Sequence, residues 1–408
     1  MLIPGYVSVE DYDNKMVLVS GLDGARIELV ENRFIEDFRS LQKGENIDNK
    51  KLLDVLRENQ MLLDFDGFKQ VSNRIRNMMN KNIVLTILPT EACNFRCTYC
   101  YENHISRTID EKIMDEIARY IENEAPEAKK IMINWFGGEP TLMSDTIIKY
   151  NKWFRDIARK NGVLFKSSMT TNGYLLTEEM FKNFYEVGID NYQITLDGFE
   201  HDKKRVLPDG RGTLTKILMN LRAISSLPNE YDYTILLRRN ILSDEDLEWY
   251  DFLADGFAKD KRFKLNIRRV ANLGGEGVQR LNLIEDGKVL KKHIEYASRS
   301  FGLLDDEKSE RIFSKMCYAS YPKGFVICTD GSLQKCTTAL YEDYNIVGKI
   351  VPGEGFIIDS KKNESWVESK LVDKCMVCRQ ALSCNNLQCP KRLLLKKDIS
   401  VCCDGLED

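Results

Sequence analysis

No stretch of this 408-residue chain approaches the ~20 consecutive apolar residues that a bilayer span requires, which argues against a membrane protein. The amino terminus has neither the basic segment nor the apolar core of a secretory signal. Neither sign of charge is in large excess. The net charge of −4 and pI near 5.7 give no reason to expect nucleic-acid binding. Residues 1–80 contain no cysteine, so they stand apart from any thiol chemistry. What is present, 43% hydrophobic and 30% charged residues, describes a folded globular protein long enough for two or three domains. The expected location is the cytoplasm, where thiols stay reduced. Twelve cysteines there read as metal ligands before disulfides.

Three of them stand close together in Glu91-Ala92-Cys93-Asn94-Phe95-Arg96-Cys97-Thr98-Tyr99-Cys100, a C-x3-C-x2-C spacing with no fourth cysteine nearby. Three thiolates can hold three irons of a [4Fe–4S] cube and leave the fourth open to a small molecule. Electron-transfer clusters take four protein thiolates, and zinc sites favour paired C-x2-C spacings.

Residues 82–270 alternate strand-like and helix-like patterns. Strands are predicted at 83–88, 130–136, 163–170, 191–196, 233–237 and 263–267. Helices are predicted near 109–124, 142–160, 177–187, 213–226 and 243–258. Thr108-x-x-Glu111 reads as a capping box, and Ser243 precedes an acidic first turn. Six strands with helical crossovers imply a parallel sheet forming an open or partial barrel. Polar motifs follow the strands in turn: the cysteine loop, then Gly137-Gly138-Glu139-Pro140, then Thr171-Asn172-Gly173, then Thr195-Leu196-Asp197-Gly198, then Arg238-Arg239-Asn240. Each could be an ordinary turn, but together they would meet at one barrel mouth.

This constellation resembles the radical S-adenosylmethionine (SAM) enzymes. The resemblance implies a partial (βα)6 TIM-like barrel, α/β in class. Cys93, Cys97 and Cys100 would hold a cluster whose open iron chelates SAM and whose electron releases a 5'-deoxyadenosyl radical. It also implies that Gly137, Gly138, Glu139 and Pro140 hold the SAM amino group. Thr195 would face the SAM carboxylate, and Tyr99 would occupy the aromatic slot near the adenine. The glycines are expected to let the backbone approach the ligand. Threonine at 195 where the family often has serine, and a short interval from Asp197-Gly198 to His201-Asp202, are departures from its pattern.

Nine of the twelve cysteines lie between Cys317 and Cys403. Cys317-x13-Gly331-x4-Cys336, then Cys375-x2-Cys378-x5-Cys384-x4-Cys389, then Cys402-Cys403 resembles the SPASM extension of these enzymes. One spacing departs from it, with four residues where SPASM domains have three between Cys384 and Cys389. The resemblance implies two auxiliary [4Fe–4S] clusters, one on Cys317, Cys336 and Cys389, the other on Cys375, Cys378, Cys384 and Cys402 or Cys403. With the SAM-binding cluster this makes three. A hairpin turn at Thr329-Asp330-Gly331-Ser332 would set Cys336 opposite Phe325 and turn Cys328 to the other face, leaving Cys328 packed or spare. A pair of structural zinc sites is the competing reading of this region.

The expected domains are 1–80, 81–300 and 301–408. In the first, a hairpin at 16–20 and 26–30 precedes helices near 33–43, 49–58 and 69–80. This resembles the winged-helix-like element with which peptide-modifying relatives hold a leader peptide; a mere packing extension is the alternative. The whole resembles maturases of ribosomally made peptides. It implies an oxidoreductase-type enzyme that forms a thioether from cysteine sulfur to carbon, with a precursor peptide (leader plus cysteine-containing core) as partner and flavodoxin or ferredoxin as electron donor. The alternatives are an anaerobic sulfatase-maturing enzyme, a carbon–carbon cross-linking maturase, and a non-catalytic iron–sulfur electron carrier. In sulfatase-maturing relatives an aspartate base directly follows the G-x4-C cysteine, where this chain has Thr337.

Overall fold

The computed structural model describes residues 1–242, 246–273, 278–284, 287–302, 316–367, 373–378 and 389–396. The chain divides into two compact units. One joins residues 1–80 with 307–322 and 363–408; the other joins 81–306 with 323–362.

In the first unit, β1 (Val7–Tyr12), β2 (Lys15–Ser20) and β3 (Arg26–Leu29) form an antiparallel sheet in sequence order, so β1 and β3 are its edges. β1 lies outside the predicted hairpin. The helices α1 (Asn32–Gln42), α2 (Lys50–Glu58) and α3 (Phe65–Met79) follow. Asn49 and Asp64 cap α2 and α3 by accepting from the Leu52 and Gly67 amides. The amino-terminal residues also pack on the distant cysteine segment of the same unit. The Gly5 amide donates to the Met376 carbonyl at 2.7 Å, and a Cβ on Gly5 would lie 2.3 Å from the Cys378 carbonyl carbon.

The second unit is a mixed α/β fold around a parallel-rich sheet. Six parallel strands come first: β4 (Asn82–Ile87), β5 (Lys130–Trp135), β6 (Leu164–Thr171), β7 (Ile189–Thr195), β8 (Thr234–Ile241) and β9 (Phe263–Arg269). The crossover helices are α4 (Glu111–Glu124), α5 (Ser144–Lys160), α6 (Glu178–Glu186), α7 (Leu214–Ser225) and α8 (Trp249–Phe257), and α9 (Gly287–Ser300) follows β9. Beyond β4 the sheet continues with β10 (Gly324–Ile327), parallel to β4, and then β11 (Ser332–Gln334), β12 (Ile346–Val351) and β13 (Gly355–Ile358), all antiparallel. The order is β9-β8-β7-β6-β5-β4-β10-β11-β12-β13, an open sheet that carries the six parallel strands directly into the carboxy-terminal hairpins.

Alternation along the strands separates two faces. In β5, Ile131, Ile133 and Trp135 are buried. Asn134 on the opposite face accepts from the Ser168 hydroxyl at 2.7 Å. In β8, Ile235 and Leu237 are buried, while Arg238 and Asn240 alternate with them and line a cavity. Buried Asn151 of α5 pins helix to sheet, accepting from the Trp135 indole at 2.9 Å and the Ser167 hydroxyl at 2.7 Å.

Two local expectations change. Asp110, not Thr108, caps α4, accepting from the Lys112 amide at 2.8 Å, while Thr108 bridges Thr90 at the base of the cysteine loop. The hairpin pairs Val326 with Gln334 and Ile327 with Leu333, so the register runs one residue off the expected one and sets Lys335 against Phe325. The turn is Cys328-Thr329-Asp330-Gly331, closed by the Gly331 amide on the Cys328 carbonyl at 3.0 Å. Cys328 is buried, and burial pushes its thiol up to about 12.

Candidate active site

The loop from β4 to α4 is pinched at its base. The Glu91 amide donates to the Arg107 carbonyl at 3.0 Å, and the Ile109 amide to the Pro89 carbonyl at 2.9 Å. Above this neck Cys93, Cys97 and Cys100 line a cavity of about 300 Å³. The ends of β5 to β9 contribute as well: Gly137, Gly138 and Glu139 after β5, Thr171 and Asn172 at β6, Gln193 and Thr195 at β7, Arg238 and Asn240 at β8, Arg269 and Leu273 at β9. A cavity at the carboxyl ends of parallel strands is where such sheets place function. Pro140 is buried just behind it and is not among the lining residues.

The two glycines serve packing between loops. Gly137 has φ +105°, and a Cβ there would lie 2.5 Å from the Thr90 carbonyl oxygen. A Cβ on Gly138 would lie 2.2 Å from the Ala92 carbonyl oxygen. The Gly138 and Glu139 amides donate to the Thr90 and Ala92 carbonyls at 3.1 and 2.9 Å. The close approach seen in the structure is to the backbone that leads into Cys93. The Glu139 carboxylate is fully enclosed. Its Oε1 accepts from the Thr141 hydroxyl (2.5 Å) and amide (3.1 Å) and the Thr171 hydroxyl (2.6 Å), and its Oε2 accepts from the Asn172 amide (2.7 Å). Burial raises its pKa and these four donors oppose the rise.

Tyr99 is a hub. Its hydroxyl donates to the buried Asp197 carboxylate and accepts from Arg205 Nη1 at 2.9 Å and Asn240 Nδ2 at 3.2 Å. Arg205 also pairs its chain segment with the cysteine loop, since Arg205 and Val206 lie opposite Cys97 and Arg96 in a short antiparallel ladder. Arg205 Nε and Glu102 Oε2 are buried with no hydrogen-bond partner among the described residues. Burial pushes the Cys93 and Cys100 thiols up to about 12 and raises Cys97, with Arg205 opposing the rise at Cys97. Such thiols stay protonated until a metal takes the proton's place. No three His, Cys, Asp or Glu side chains among the described residues converge tightly enough for a single ion. A cube anchors each thiolate on a separate iron, so three cysteines spread around one hollow suit it. The unpartnered Arg205 nitrogen also leaves a donor free beside Cys97.

Among the residues singled out in the sequence, Cys93, Cys97, Tyr99, Cys100, Gly137, Gly138, Glu139 and Thr195 all face this cavity. So does Thr337, together with Thr338. Cys336 is buried next to them, its sulfur 3.2 Å from the Thr338 hydroxyl. Cys317, Cys375, Cys378 and Cys389 belong to the other unit, and none of the nine described cysteines forms a disulfide. Cys384, Cys402 and Cys403 lie outside the described residues, as does Ser243. Sequence reasoning missed Arg205, Glu102 and His104, which line the cavity without belonging to a motif. A carboxylate two residues past the third cysteine was the only signal for Glu102.

An open parallel sheet with a cysteine triad at its carboxyl ends defines the class, and the comparisons agree. The Radical SAM superfamily profile matches residues 87–249, and this part of the chain is a radical SAM domain. The superfamily implies a [4Fe–4S] cluster and SAM. The chain is 26% identical over 217 residues to the serine-type anaerobic sulfatase-maturating enzyme of Klebsiella aerogenes, covering 52% of this chain and 49% of that protein. It is 29% identical over 174 residues to GTP 3',8-cyclase of Lactiplantibacillus plantarum, covering 41% and 49%. The chain thus spans about half the length of the curated relatives it matches. The fold is similar to that of anSMEcpe solved with AdoMet and the Cp18Cys peptide (TM-score 0.53, 20% identity, 75% of this chain and 88% of that one). It is also similar to Streptococcus suis SuiB bound to precursor peptide SuiA (TM-score 0.55, 16% identity, 98% and 99%). Among the described residues no helix is long and apolar enough to cross a membrane.

Proposed function

We propose that this chain is a radical SAM maturase that joins a cysteine sulfur to a carbon within a ribosomally made precursor peptide. One observation carries the peptide reading. Likeness to precursor-bound SuiB runs over 98% of the chain, including residues 1–80, whereas likeness to anSMEcpe covers 75%. Among the described residues the three-stranded sheet has open edges at β1 and β3, where an extended leader could add as a strand. In this reading residues 1–80 recognise the leader, 81–300 form the radical SAM barrel, and 301–408 are a SPASM domain with two auxiliary clusters. Their ligands are Cys317, Cys336, Cys375, Cys378, Cys384, Cys389 and Cys402 or Cys403. Flavodoxin or ferredoxin supplies the electron.

With cluster and SAM bound, the site supplies hydrogen-atom abstraction. Cys93, Cys97 and Cys100 hold the cluster, and the locked Gly137-Gly138-Glu139 turn and Thr195 line the space for SAM. A thioether forms when a substrate C–H loses its hydrogen atom and the S–H its proton. One electron is left over, which an auxiliary cluster held by the carboxy-terminal cysteines would accept if present in its oxidised state. Thr337 offers no carboxylate where sulfatase-maturing relatives place a base, which favours cross-linking over oxidation to an aldehyde.

The test is to incubate the anaerobically reconstituted protein with SAM, reductant and a cysteine-containing precursor. Each cross-link lowers product mass by about 2 Da and leaves one sulfur inert to alkylation even after reduction, because reductants reopen disulfides but not thioethers. A product whose thiols all remain alkylatable redirects the assignment to a carbon–carbon bond.

A further inference from the structure

β8 and β9 together carry five basic residues, Arg238, Arg239, Lys264, Arg268 and Arg269, and no acidic one. Arg239 turns to the helices, lying over the Tyr250 ring of α8 at 4.7 Å and pairing with Asp246 at 3.7 Å. Arg238 alternates onto the opposite face and lines the cavity. It is half-buried, and its one hydrogen bond among the described residues runs from Nε to Asn240 Oδ1 at 2.9 Å, an uncharged partner. Arg269 lines the same cavity, with Nη1 3.4 Å from the Ile284 carbonyl oxygen. The acids around Arg238 are engaged elsewhere. Asp197, whose charge acts on Arg238, accepts from the Tyr99 hydroxyl on one oxygen and from the Asn240 amide at 2.9 Å on the other. Glu139 has its four donors. The charges that act on Glu102 are those of Glu91 and Glu139, so it is no counter-ion for Arg238.

A guanidinium held away from water beside other guanidinium groups is costly. Burial lowers the pKa of Arg238 and Arg268 adds to the fall, against Tyr99, Tyr101 and Asp197. The planar Nη edge of an arginine matches a carboxylate, which accepts on both oxygens and brings the opposite charge. SAM has one carboxylate, and Arg238 stands level with Thr195 across the β7–β8 pair, so that group is the rival occupant. Arg205, however, already offers its unpartnered Nε beside Cys97, on the side where the cluster would hold SAM. Arg238 and Arg269 belong to the two parallel strands farthest in the sheet from β4, which leads into the cysteine loop. Resting on the maturase reading above, we propose that Arg238 binds an aspartate or glutamate side chain of the peptide substrate, holding the segment that carries it in the cavity.

The experiment titrates the reconstituted, SAM-loaded protein with N-acetyl-glutamate α-amide and, separately, with N-acetyl-glutaminamide, which has nearly the same shape without the charge. Binding is followed by saturation-transfer NMR. The glutamate derivative should bind about ten-fold tighter, as a charge-assisted pair would give. Arg238→Gln should remove the difference. Equal affinity of the two probes for the unaltered protein overturns the proposal without needing any variant to fold. A glutamate preference that survives in Arg238→Gln overturns it as well. Binding of labelled SAM to both proteins tests the rival occupant: an Arg238→Gln protein that has lost affinity for SAM overturns the proposal, because the carboxylate would then be SAM's own. A protein that cross-links a cysteine peptide but shows no glutamate preference loses the Arg238 site and keeps the maturase assignment. One that shows the preference but modifies no peptide loses the maturase assignment instead.

Discussion

The Tyr99 hydroxyl donates to the Asp197 carboxylate, joining the middle of the cysteine motif to the residue just past β7. Asp197 is fully buried and accepts on its other oxygen from the Asn240 amide at 2.9 Å, at the end of β8. One phenol therefore ties the cluster loop to two strand ends, with Arg205 completing the set. The aromatic ring invites a stacking role, but the hydroxyl has the more definite partners. Tyr99→Phe should cost about 1–3 kcal/mol by stranding buried polar groups, read by urea unfolding. Combined with Asp197→Asn, the losses should be non-additive. Strictly additive losses would mean the two residues act separately.

Gly138→Ala puts a methyl group 2.2 Å from the Ala92 carbonyl oxygen, so the backbone leading into Cys93 has to move. Overpacking of this kind should cost about 1–3 kcal/mol. Gly353→Ala is the control: its φ of +87° brings a backbone strain that Gly138 lacks, but nothing lies within 4 Å of the added methyl group. If the glycine turn locks the cysteine loop, Gly138→Ala should also incorporate less iron on reconstitution, and Gly353→Ala should not. Equal iron in both would assign the turn to stability alone.

The six parallel strands were legible because β-branched and aromatic runs alternate with amphipathic helices, and each found its place within a few residues. Cavity residues on motifs were legible for the same reason, since a motif at a strand end has one place to go. Arg205 and Glu102 were not. A charged side chain in a loop reads as solvated, and only closure of the loop against Tyr99 or the cavity turns it inward. The Thr108 cap failed because a side chain that could cap a helix was taken up by the bridge to Thr90. The hairpin register failed because the turn begins at Cys328, one residue before the motif that suggested it.

Replacing Cys93, Cys97 and Cys100 together by alanine should lower the iron content from about twelve to about eight per molecule and abolish SAM cleavage. The remaining irons report the auxiliary clusters. An unchanged iron count would remove the triad from the cluster assignment. Stoichiometric zinc in the native protein would do the same for the SPASM assignment.

His201 sets an acid dependence that belongs to the fold. Its Nδ1 accepts from the Asp197 amide at 3.2 Å, so that nitrogen carries no proton. Its Nε2 meets the Thr213 hydroxyl at 3.0 Å, and that hydroxyl donates onward to the Arg205 carbonyl at 2.7 Å. The ring is therefore a neutral Nε2–H tautomer between fixed partners. Burial, with Arg205 and Lys204, lowers its pKa from 6.5 to about 3. Between those values the unfolded chain binds a proton that the native state refuses, so stability falls as pH drops from 6.5 toward 3. The limiting slope is about 1.4 kcal/mol per pH unit. Urea unfolding of the cluster-free protein from about pH 6.5 down to about pH 5 should show it, and His201→Gln, which cannot titrate, should flatten it. Parallel pH curves for the two proteins would place the acid sensitivity elsewhere. His104→Gln is then the next variant to measure, because burial and Arg96 also lower the pKa of His104.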